Sequence, residues 1–166
     1  MKRRERTKAP IICLVFTVLA AVGVIIGLLF NSPILIIIFL LPTAIYEVIR
    51  TEGKSTKAAS IILLVVLILE IPLLLFNVDF NIAEFLGAER QMVCGYWLPL
   101  GKLSVVGPML MAILAIILFT RTWGTYTRWL AAVIFFTSLA LIYSLDPAAF
   151  QEMLAMAIQQ GIRRIR

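Results

Sequence analysis

One carboxylate in this chain sits where only a function or a partner accounts for it. In residues 64–76, LVVLILEIPLLLF, Glu70 is the single charged side chain, two residues before Pro72. A carboxylate at the centre of a membrane helix costs about 2.5–3.5 kcal/mol on insertion scales, so such a residue is a marker of function or pairing. Pro72 has no N–H and leaves the Ile68 carbonyl without its helical donor, which opens the backbone beside the acid. Two roles follow from this placement. Glu70 is a proton or cation site, or it is half of an ion pair that fixes geometry, with Arg90 or Lys102 of the following connection or with another subunit. Asn77, seven residues on, falls on the same helical side. Ser104, Thr137, Ser138, Tyr143 and Ser144 are the other polar candidates for a relay, and no second acid reads as lying well inside an apolar run. Glu47, beside Arg50, reads as belonging to the interfacial end of its run.

Other chemistry is scarce. The chain has no histidine, which removes the commonest general base, the commonest metal ligand and the usual haem ligand. Cys13 and Cys94 are too far apart for a CxxC motif, and the topology below puts them at opposite membrane faces, against a disulfide within one chain. Cys94 has no histidine to activate it. No glycine-rich phosphate loop, paired catalytic carboxylates or metal-ligand cluster occurs in the sequence. It specifies no catalytic residue and no cofactor, and predicts a protein that is not an enzyme, because an active site gathers several polar groups in one place.

The elements that must hold these residues are membrane helices. Hydrophobic residues make up 62% of the 166, charged residues 14%, and mean hydropathy is +1.04; soluble chains carry about a quarter charged residues. The solvent for so much apolar surface is lipid. The net charge of +6 would suggest nucleic acid in a soluble protein, but Lys2, Arg3, Arg4, Arg6 and Lys8 crowd the start of the chain and read as the cytoplasmic flank of a first span. No nucleic-acid partner is expected.

The apolar runs predict an all-α bundle of about five spans, at 11–30, 33–48, 58–76, 103–120 and 129–145. Each is about 16–20 residues, enough to cross most or all of roughly 30 Å of hydrocarbon as helix. No sustained polar–apolar alternation supports spanning strands. The first run is too long for a secretory core and continues past Leu19-Ala20-Ala21, so it reads as a signal anchor. Asn31-Ser32 alone separates the first two runs, predicting a tight hairpin with Asn31 left-handed, Ser32 as cap and Pro33 in the first turn. Pro42 is placed to kink the second span.

Lys and Arg counts set the expected orientation. With the N-terminus inside, the inner segments hold ten basic residues (2–8, 50–57 and 121–128) and the outer connections hold Arg90 and Lys102. This predicts a multi-pass protein of a prokaryotic-type inner membrane with a cytoplasmic N-terminus. The tail, 146–166, is expected to be an amphipathic helix capped by Asp146, with Phe150, Leu154, Ile158 and Ile162 on one face. Five spans put its arginines outside, whereas a re-entrant run would leave the tail inside.

Two further features suit partner subunits. Cys13, Thr17, Ala20, Gly23 and Gly27 recur at spacings of four, three, three and four and form a small-residue stripe on the first span. Such a stripe lets another backbone approach closely, either from another subunit or from a helix of the same chain. The connection 77–102 is amphipathic and aromatic, which predicts one or two interfacial helices serving as a docking surface or as a plain connector. Together these support a non-catalytic accessory or structural subunit, with lipid and other membrane subunits as partners. The alternative is a small proton- or cation-conducting transporter or channel component using Glu70.

Overall fold

The computed structural model describes residues 9–51, 53–76, 91–93, 96–98 and 103–148, with 150–151, 154–155 and 158 of the tail. It is a helical bundle. The five long helices are α1 (Ala9–Leu29), α2 (Pro33–Arg50), α3 (Lys54–Leu75), α4 (Leu103–Arg121) and α5 (Thr125–Leu145), all long and apolar enough to cross a membrane.

The helices outrun the hydropathy. α3 begins at Lys54 and α5 at Thr125, four residues before the apolar runs that mark them, so KSTK and TYTR are helical turns at the polar boundary. Hydrocarbon thickness sets where a run becomes apolar, but a helix continues as long as its backbone finds partners. Lys57 N–H bonds the Gly53 carbonyl and Arg128 N–H the Gly124 carbonyl, which starts both helices in their polar turns. The α2–α3 and α4–α5 connections thereby shrink to three residues each, 51–53 and 122–124.

The α1–α2 hairpin shows how two residues turn the chain. Asn31 is left-handed, with φ 47°, and its N–H bonds the Leu28 carbonyl while Ser32 N–H reaches back to the Gly27 carbonyl. This pair of bonds is the Schellman arrangement that closes a helix C-terminus. Ser32 stands at the cap of α2 but its hydroxyl makes no capping bond; the first-turn proline already removes one of the donors that a cap would satisfy.

Short links make neighbours antiparallel, and the helices close a ring in sequence order, α1 to α5, with α2 also touching α5 across the middle. Ile36, Ile37, Leu40 and Ala44 of α2 meet Leu63 and Leu67 of α3, Met111, Ala115 and Leu118 of α4, and Ile134 and Leu141 of α5. Because lipid tails are as apolar as leucine, this contact is stabilised by close packing and not by expulsion from water. Outward, Val15, Ile25, Ile62, Leu69, Ile113, Ile116 and Phe136 are exposed, as a lipid-facing surface requires.

Every described Lys and Arg (Arg50, Lys54, Lys57, Arg121 and Arg128) lies at the end of the bundle where α1 starts. Trp123, Tyr126 and Trp129 stand at the same end and are exposed. At the opposite end, Asp146 accepts from Ala148 N–H through Oδ1 at 3.0 Å, and Phe150 packs edge-on against Tyr143 at 5.6 Å. The described tail residues are helical, with Leu154 and Ile158 exposed.

The connection 77–102 differs from the expectation of interfacial helices where it is described. Gln91–Val93 pairs antiparallel with Tyr96–Leu98, in the register Gln91 to Leu98 and Val93 to Tyr96. Val93, Tyr96 and Trp97 are strand-favouring types.

Candidate functional site

Glu70 is pulled inward. Along α3 the buried positions Ser60, Leu63, Leu67 and Glu70 recur at spacings of three, four and three, so the acid sits on the core face of its helix at 1% exposure. What makes room for it is Gly107 of α4: a Cβ there would stand 2.8 Å from the Glu70 Cδ. Pro72 on α3 and Pro108 on α4 flank this contact, each withholding one N–H from its helix. Oε1 of Glu70 is buried and has no hydrogen-bond partner among the described residues. Its three expected companions, Asn77, Arg90 and Lys102, lie outside the described residues. Of the proposed relay groups, Thr137 and Ser138 donate to the Val133 and Ile134 carbonyls of their own helix at 2.8 Å, and the Ser144 hydroxyl is buried without a partner among the described residues.

A second acid is buried where the sequence predicts an interfacial position. Glu47, expected at an interfacial helix end, is 1% exposed. It occupies the core face of α2, one turn after Thr43 and one turn before Thr51. Thr51 Oγ1 donates to Glu47 Oε1 at 3.0 Å and is also 2.7 Å from the Glu47 carbonyl. Ser60 of α3 donates to Thr51 Oγ1 at 3.2 Å. Oε2 of Glu47 and the Thr43 hydroxyl have no partner among the described residues. The sequence signal was available: Thr43, Glu47 and Thr51 repeat every four residues in step with Ile36 and Leu40, placing a polar strip in continuation of the apolar face.

The two acids stand at opposite ends of the core. Ser60, in the Glu47 network, precedes Glu70 by ten residues of α3, about 15 Å of helix rise. Leu63 and Leu67 fill that interval with Leu40, Met111 and Leu118, all at 1% exposure or less.

The small-residue stripe faces helices of its own chain. A Cβ on Gly23 would stand 2.9 Å from Phe39 Cγ, and one on Gly27 3.0 Å from Ile36 Cδ1, so α2 lies directly on α1. Ala20 is buried at the same seam, and Phe16 meets Tyr46 at 5.0 Å. Towards α5, the buried Cys13 thiol points at the Tyr126 carbonyl, 3.8 Å away, and Trp129 Nε1–H donates to Thr17 Oγ1 at 2.9 Å. Beside this contact an apolar groove of about 410 Å³ runs between α1 and α5, lined by Leu14, Val18, Thr125 and Trp129 among others.

No family model, curated protein or solved structure matches this chain.

Proposed function

We propose that this multi-pass membrane protein is a non-catalytic accessory or structural subunit of a larger membrane complex, set in a prokaryotic-type inner membrane with its N-terminus in the cytoplasm. The observation that carries this reading is the filled interior: between Glu47 and Glu70 the bundle is closed by large aliphatic side chains at 1% exposure or less. Among the described residues this packing favours a closed bundle over an open path, and the apolar outer faces of the five helices offer broad surface to lipid and to neighbouring helices. The collection of Arg50, Lys54, Lys57, Arg121 and Arg128 at one end supports the orientation.

Purification in mild detergent followed by mass measurement of whatever co-elutes tests the proposal. Stoichiometric partner subunits are the expected result, and a monodisperse homomer counts against it.

A second reading has its own support. Glu70 is buried with one oxygen unpartnered among the described residues, which suits a proton- or cation-conducting component if several copies assemble a shared path. In proteoliposomes, Glu70→Gln separates the two readings. Loss of a proton- or cation-dependent flux with assembly intact favours conduction; loss of the chain from its complex favours the ion pair.

A further inference from the structure

The Thr43 hydroxyl departs from the habit of its neighbours. Thr17, Thr51, Ser60, Thr120, Thr137 and Ser138 each reach the carbonyl four residues back in their own helix, the ordinary resort of a helical hydroxyl. Thr43, at 0% exposure, makes no such bond. One turn further along the same face comes Glu47, with Oε2 equally unpartnered among the described residues. Two buried oxygens one turn apart, one of them on a carboxylate, are thus left without a partner among the described residues. Leaving such groups unmatched is costly, and most of all for a charge.

We propose that Thr43, Glu47, Thr51 and Ser60 form a binding site for one monovalent alkali cation of the sodium class. The donor set is all oxygen, which suits a hard cation and excludes soft metals. One carboxylate balances one positive charge; a divalent ion would leave an uncompensated charge inside the bundle. The Thr51 and Ser60 hydroxyls can serve as ligands because their protons have other acceptors. Thr51 can send its proton to the Glu47 carbonyl at 2.7 Å and Ser60 to the Thr56 carbonyl at 3.1 Å, freeing oxygen lone pairs for a cation.

Among the described residues, the elements packed on this cluster supply no competing cation. Among the described residues no Lys or Arg nitrogen bonds either Glu47 oxygen; Arg50, Lys54 and Lys57 lie beyond it at the same end of the bundle. The titratable group facing it from α1 is Cys13, which is buried. The cluster lies at the opposite end of the core from Glu70, so the proposal stands whether or not Glu70 conducts.

Thermal unfolding of the full-length protein in detergent tests this, with NaCl titrated against choline chloride at constant ionic strength and pH. A ligand that binds only the folded state raises the melting temperature saturably. The wild type should show that rise with Na⁺, Glu47→Gln should lose it, and Thr43→Val should need several-fold more Na⁺ to reach half its amplitude. Direct binding of radioactive Na⁺ to wild type and Thr43→Val provides the same comparison if Glu47→Gln does not fold. Stability of the wild type indifferent to Na⁺ but changing with pH would assign a proton to Glu47 and overturn the proposal, as would an undiminished Na⁺ response in Glu47→Gln.

Discussion

The Glu70 carboxylate occupies the space that a side chain on Gly107 would take: a Cβ at Gly107 falls 2.8 Å from Glu70 Cδ. The acid on α3 and the glycine on α4 are therefore one feature. The sequence displays them 37 positions apart, with nothing local to join them. Gly107→Ala should push the carboxylate off the α4 backbone and destabilise the bundle by about 1–3 kcal/mol, the usual cost of overpacking. Glu70→Ala in the same chain should return most of that loss. A double-mutant cycle of melting in detergent measures the coupling; additive effects would show that the two residues do not compete for the same space.

The α1–α2 seam yields a second expectation. A Cβ on Gly27 lies 3.0 Å from Ile36 Cδ1 and 3.2 Å from the Ser32 carbonyl, so neither the core nor the turn has room to yield. Gly27→Val should lower the stability of the isolated chain by about 1–3 kcal/mol through the same overpacking. Unchanged melting of the isolated chain, with loss only of co-purifying partners, would assign the stripe to an intersubunit contact.

How far the sequence carried the fold depends on which force left a local mark. Lipid solvation writes itself into runs of apolar residues, so all five spans are legible, and Asn31 announces its turn because few residues tolerate φ near 47°. Helix starts are less legible: Lys54 and Thr125 are polar, and the hydrophobic signal is silent about backbone hydrogen bonding. Glu70 stood out because its surroundings in the chain are apolar. Glu47 did not, because Arg50 and the following polar residues make its neighbourhood look interfacial, although it continues the helical face of Ile36, Leu40 and Thr43 that the bundle buries. The groove at Trp129 comes from α1 meeting α5, a contact between chain segments 112 residues apart, and no local pattern encodes it.

Thr51 links the buried Glu47 to α3, since its hydroxyl donates to Oε1 and accepts from Ser60. Thr51→Val keeps the shape and removes that link, stranding Oε1 in the interior while the Ser60 hydroxyl keeps the Thr56 carbonyl as its acceptor. A loss of about 1–3 kcal/mol is expected, the cost of leaving a buried polar group unsatisfied. Thr51→Ser, which keeps the hydroxyl, should stay near the wild type in the same chemical denaturation series. A loss in Thr51→Ser with Thr51→Val near the wild type would mean that the methyl group, and not the hydroxyl, is what matters.

The arrangement of sides is the most exposed consequence of the bundle. Lys54 and Trp123 project at the end where α1 starts, while Asn31 and Ala148 project at the other, and all four are exposed. In a Cys13→Ser, Cys94→Ser background, single cysteines at these positions should divide into two pairs towards a membrane-impermeant thiol reagent applied to intact cells. Asn31→Cys and Ala148→Cys should react from outside, and Lys54→Cys and Trp123→Cys only after the membrane is opened. That division follows from antiparallel neighbours joined by short links together with the basic residues gathered at the α1 end. Inverted labelling of all four would keep the bundle and reverse its orientation. Labelling that placed Asn31 and Lys54 on one side would mean that α2 does not cross, and the ring of five spanning helices could not stand.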